Sequence, residues 1–118
     1  MTLDFSIDTD ASPVTVRIGG RLTLGPHLRR FGDQITAYIA SNRPIAILLD
    51  VEAVSEVDSA GLGELMILYT TAGEYGSRIG LLRPSPRFLR LLQITNLLGL
   101  LPHFDTAGQA DGWLGASR

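Results

Sequence analysis

The chain has 118 residues, 45% hydrophobic and 19% charged, which suits one compact domain and leaves no room for a catalytic domain beside a regulatory one. A net charge of −2 gives no electrostatic draw toward nucleic acid or an anionic membrane surface. Cysteine is absent and all ten basic residues are arginine, which excludes disulfides, thiol chemistry, a Walker A lysine and a lysine base or Schiff base.

The N-terminus, MTLDFSIDTD, is acidic and lacks the basic-then-apolar order of a signal peptide. Leu3 to Ile7 alternates apolar and polar residues, the period of a half-buried strand, and Val14, Val16 and Ile18 repeat it after a turn-rich Asp8–Pro13. The two strands are expected to pair as an antiparallel hairpin, with a bend or bulge at Gly19-Gly20. A helix start is expected over Thr23–Pro26, followed by a stripe of Leu28, Phe31, Ile35, Tyr38 and Ile39 that ends near Ser41-Asn42, because Pro44 follows. Ile45 to Leu49 reads as a central strand buried on both faces, with Asp50 at its end. Helical spacing returns with Leu62, Leu65, Met66, Tyr69 and Ala72, stopped by Gly76. Arg78–Arg83 is another short strand, and Ser85-Pro86 caps a shorter helix carrying Phe88, Leu91 and Leu92. Leu97, Leu98, Leu100 and Leu101 are expected to close the core, with His103 and Trp113 packing near a short strand and a weak last helix over Thr106–Leu114. No apolar run approaches the roughly 20 residues that span a bilayer, so a cytoplasmic protein is expected. The two histidines, His27 and His103, lie far apart, so no metal site and no cofactor are expected.

The fold class is therefore α/β, a mixed, mostly parallel sheet of four to five strands flanked by three to four helices. In open sheets of this kind, functional residues gather where strands end and helices begin. V57-D-S-A-G-L-G63 lies at such a junction. A serine-hydrolase elbow would need a glycine where Val57 stands and a histidine tied to Ser59, and the sequence offers neither. Gly61 and Gly63 at a helix start could meet an anion, but a G-x-G without a third glycine or a lysine is a weak phosphate signal. Serine is among the best N-cap residues, with Asp58 adding favourable charge at the dipole, yet two glycines in a first turn cost about 1 kcal/mol each. They are explained if another macromolecule approaches closely. Glu52, Glu56, Asp58 and Glu64 make the neighbourhood acidic, while Arg83, Arg87 and Arg90 form a basic strip.

The segment ILLDVEAVSEVDSAGLGEL (47–65) resembles the signature of STAS domains, specifically bacterial anti-sigma factor antagonists. Gly20-Arg21-Leu22 is similar to the family's G-x-L after its second strand, and the likeness runs through LLRPSPRFLRLLQITNLL (81–98) to about residue 105. The resemblance implies one STAS domain over 1–118 that is not an enzyme. It implies an antagonist that binds a GHKL-type anti-sigma serine kinase when unphosphorylated, releases a sigma factor for transcription, and is reset by a PP2C-type phosphatase. In the family's D-S-[S/T]-G, the serine after the aspartate is phosphorylated, which places the acceptor at Ser59, with Asp58 and Gly61 matching the motif. The implied partner surface is Asp58, Ser59, Ala60, Gly61, Gly63 and Thr23, on a monomer or weak dimer. Ala60 departs from the second hydroxyl of the motif, and Thr23 stands where many antagonists carry an aspartate. The competing expectation is a non-switching STAS subunit of a larger assembly, such as a stress-signalling complex or a lipid-transport accessory subunit, in which Ser59 only caps.

Overall fold

A computed structural model describes residues 2–116, with side chains to residue 113. The strands are β1 (Leu3–Asp8), β2 (Val14–Leu22), β3 (Ala46–Val57), β4 (Arg78–Leu82) and β5 (His103–Phe104). The helices are α1 (Pro26–Asn42), α2 (Ser59–Glu74), α3 (Pro86–Ile94) and α4 (Ala107–Ala116). The strands lie side by side in chain order; β1 and β2 are antiparallel, and every later neighbour is parallel. Parallel neighbours require crossovers, and α1, α2 and α3 supply them.

Alternation along the strands sorts the two layers. Ile47, Leu49 and Val51 of β3 join Ile79 and Leu81 of β4 in one core with α1, α2 and α3. Leu48 and Leu82 point the other way and meet Ala110 of α4, with Phe104 and Trp113 beside them. The α1 stripe is buried at Leu28, Phe31, Ile35 and Ile39, and Phe31 takes Phe5 of β1 edge-on at 5.1 Å between ring centroids. Helix ends follow the sequence signals: Pro26 opens α1, Ser85 accepts the Phe88 N–H at 3.1 Å ahead of α3, and Gly76 takes a left-handed φ of 76° after α2. Leu101 is buried, whereas Leu100 is half exposed and does not close the core as expected, and His103, expected to pack, is exposed.

The largest departure lies in β3. Asp50 does not end the strand; it sits mid-strand, and the pairing with β2 continues to Leu22↔Val57. Two register shifts allow this, because Arg17↔Asp50 is followed by Gly19↔Ala53 and Gly20↔Val54 by Arg21↔Glu56. Each shift sets one extra β3 residue against β2, the signature of a bulge. Gly20 lies between them at φ 87°, a conformation that favours glycine. On its other side β3 pairs with β4 only over Ala46–Asp50. Among the described residues, 51–57 therefore carry a strand partner on one edge alone.

Candidate functional site

The end of β3 delivers the chain to Asp58, and one carboxylate organises everything around it. Asp58 is extended (φ −120°, ψ −177°) and is the N-cap of α2, with Oδ1 accepting the Gly61 N–H at 2.8 Å. Its Oδ2 accepts the Leu24 N–H at 3.1 Å, and its own N–H reaches Leu22 O at 3.4 Å. The helix start and the short loop before α1 are thus tied to the same side chain.

The cap is one residue earlier than a capping Ser59 would require. Asp58 holds the extended backbone that an N-cap needs, and Ser59 is the first residue inside the helix. Ser59 is exposed, and its hydroxyl makes no side-chain hydrogen bond among the described residues. At this position the helix dipole favours added negative charge.

The two glycines divide in role. Gly61 is buried, and a Cβ there would run into the carbonyl oxygen of Leu22 and lie 2.9 Å from its carbon. Its missing side chain lets α2 close onto the end of β2 rather than clearing a path for a partner. Gly63 is exposed, and among the described residues nothing lies within 4 Å of an added Cβ. Of the residues expected at a partner surface, Ser59 and Gly63 face outward, Ala60 and Thr23 are half-buried, and Asp58 is committed to its two bonds.

The acidic neighbourhood is largely paired off. Arg21 holds Glu56 at 3.2 Å, and Arg83 bridges Asp50 at 3.0 Å and Glu52 at 3.4 Å. Asp50 also accepts the Glu52 N–H at 3.1 Å. Arg83 therefore leaves the basic strip, while Arg87 and Arg90 stay exposed on α3 without an ion-pair partner among the described residues. A groove of about 630 Å³ opens beside the cap, with Thr23, Leu24 and Asp58 on one side and Arg87, Arg90 and Ile94 on the other. Among the described residues, no group of three or more histidines or carboxylates is placed to hold a metal ion, and no helix is long and apolar enough to cross a membrane.

Glu64 leans away from the junction onto α1, where its carboxylate occupies the space a side chain at Gly32 would need. Burial pushes its carboxyl above the ordinary range; Arg29 opposes the shift and Asp33 adds to it. The folded chain therefore keeps this proton to higher pH than the unfolded chain does. The resulting stability is full below the ordinary glutamate range and is lost as pH rises through the raised value. At neutral pH the charged form is a cost, so Glu64→Gln is expected to raise the melting temperature modestly at pH 7. It should also flatten that part of the pH profile, which thermal melts across the acid range would check.

A family model described as "Mlab, STAS domain" matches residues 5–102. The chain belongs to the STAS domain family. Solved proteins share the fold of this STAS domain, anti-sigma factor antagonists among them. An anti-sigma factor antagonist from Mycobacterium paratuberculosis is 22% identical, with a TM-score of 0.78 over 96% of this chain and 94% of the other. The anti-sigma factor antagonist SpoIIAA in its unphosphorylated form is 22% identical, with a TM-score of 0.77 over 95% and 97%. The phosphorylated form of Bacillus SpoIIAA gives 0.70 over 92% and 97% at 21% identity. A sulfate transporter family protein from Wolinella succinogenes gives 0.70 over 86% and 84% at 17% identity. The same fold is thus found in anti-sigma factor antagonists and in a transporter family protein.

Proposed function

We propose that this STAS domain is an anti-sigma factor antagonist, a protein-binding switch rather than an enzyme, with Ser59 as its phosphoacceptor. The observation that carries the reading is the one-residue offset at the helix start. Asp58 makes the cap, so the Ser59 hydroxyl has no structural task there and stands exposed. A phosphate at Ser59 would add about −1.5 to −2 charges at the positive end of α2, where the fold tolerates it. Its effect would then fall on whatever docks at Ser59, Gly63 and Thr23. The partner in this reading is a GHKL-type anti-sigma serine kinase in the cytoplasm, with a PP2C-type phosphatase restoring the unmodified form.

The test is incubation of the purified chain with the GHKL-type kinases of its own cell and ATP, followed by mass spectrometry. Phosphate on Ser59, absent from Ser59→Ala, is the expected result, and no modification by any of them would sink the proposal. Gly63→Ala gives a second test. Alanine in open space at a helical position is expected to stabilise the domain by about 0.5–1 kcal/mol. The added methyl should nevertheless weaken kinase binding, as denaturant unfolding and calorimetric titration would show.

A second reading draws on the likeness to the Wolinella transporter family protein. In it the domain is a constitutive subunit of a larger assembly. Co-purification with several subunits, unchanged by Ser59→Asp, would favour that reading.

A further inference from the structure

We infer that the groove between the 51–57 edge of β3 and α3 receives an extended acidic segment of the partner protein, held by Arg87 and Arg90 and anchored on Leu24 and Ile94. The inference rests on the switch reading, because it names what the face beside Ser59 holds.

The groove owes its existence to the mismatch in strand length. β4 covers β3 only to Asp50, so the rest of that edge faces α3 across open space. Its rim carries two large apolar side chains that the fold leaves in water, Leu24 at 81% and Ile94 at 67% exposure. A protein surface tolerates single exposed apolar side chains, but a leucine and an isoleucine lining one groove from different elements give a peptide two apolar anchors.

Charge decides what kind of peptide. Arg21 is matched to Glu56 on the strand side, and Asp58 spends both oxygens on backbone N–H groups. On the helix side, Arg87 and Arg90 have no carboxylate partner among the described residues, in a chain whose net charge is −2. Unmatched arginines beside apolar anchors select a segment that brings both carboxylates and apolar side chains. The bulges of β3 and the Glu52 N–H already bonded to Asp50 break the regular edge, so side chains rather than strand pairing supply the recognition.

This occupant also accounts for how a phosphate would act. Asp58 lines the groove and Ser59 follows it, so a phosphoryl group at Ser59 sets two negative charges beside an acidic segment. Repulsion expels the segment while the fold stays intact.

The test uses fluorescence anisotropy with the full chain and two labelled peptides, one alternating leucine with glutamate and one alternating leucine with glutamine. The acidic peptide is expected to bind about tenfold tighter or more, with affinity falling as salt rises. Arg87→Gln/Arg90→Gln should abolish that preference at an unchanged melting temperature, whereas Arg29→Gln/Arg30→Gln, which changes net charge equally, should preserve it. Ser59→Asp should weaken the acidic peptide and spare the neutral one. Equal binding of both peptides, no binding of either, or loss of the preference in the α1 variant would overturn the inference. So would dimerisation of the free chain that the α3 substitutions abolish, which would make a second copy the occupant. Phosphate transfer to Ser59 is read separately, so failure of the groove and failure of the switch are distinguishable.

Discussion

Ser59→Asp is expected to weaken the complex with a cognate GHKL-type kinase by about a hundredfold, or roughly 3 kcal/mol, within the range of charge repulsion at an interface. The fold should not notice the change. Ser59 is the first residue of α2, and among the described residues its side chain takes no part in the hydrogen bonds that build the junction. An aspartate there meets the positive end of the helix and contributes about 0.3–1 kcal/mol in its favour. Ser59→Ala should bind as the unmodified chain does and accept no phosphate. Calorimetric titration of the three proteins against the kinase, beside thermal melts of each, separates binding from folding. Equal affinity of the wild type and Ser59→Asp would remove the switch from consideration.

Gly61→Ala is expected to have the opposite profile: a loss of about 1–3 kcal/mol in stability, with the kinase surface damaged only through the fold. The added methyl meets the backbone carbonyl of Leu22, which cannot swing aside as a side-chain tip could. Relief would come only by drawing α2 away from β2. That movement would stretch the Asp58 N–H to Leu22 O contact and the bonds from Asp58 to Gly61 and Leu24. Urea unfolding would measure the loss as a lower midpoint. Gly63→Ala, the same change two residues on and on the exposed face, is the internal control because it should shift the midpoint upward.

The contrast between these glycines shows where the sequence stops being readable. Helix periodicity, proline at the start of α1 and the Ser85-Pro86 cap are local signals, and the observed elements follow them closely. Gly61 and Gly63 look alike in the chain, and only the fold brings Leu22 against one of them. Asp58 and Ser59 are both strong cap residues, and the extended backbone at Asp58 decides between them. The second half of β3 was hidden because Glu52 and Glu56 interrupt its apolar pattern and two bulges shift its alternation. Those glutamates look like free negative charge until distant Arg83 and Arg21 are folded onto them. Glu64, four positions after Ala60, points at α1 for the same reason: its neighbour Gly32 is remote in sequence.

The separation between Asp58, which builds the helix start, and Ser59, which stands free upon it, has a genetic consequence. In the switch reading, a missense change at position 59 that removes the hydroxyl should leave a folded protein that cannot be turned off, and it should behave as a dominant, constitutively signalling allele. A change at position 58 or 61 weakens the fold instead and should behave as a recessive loss-of-function allele. Two neighbouring codons would then give opposite phenotypes.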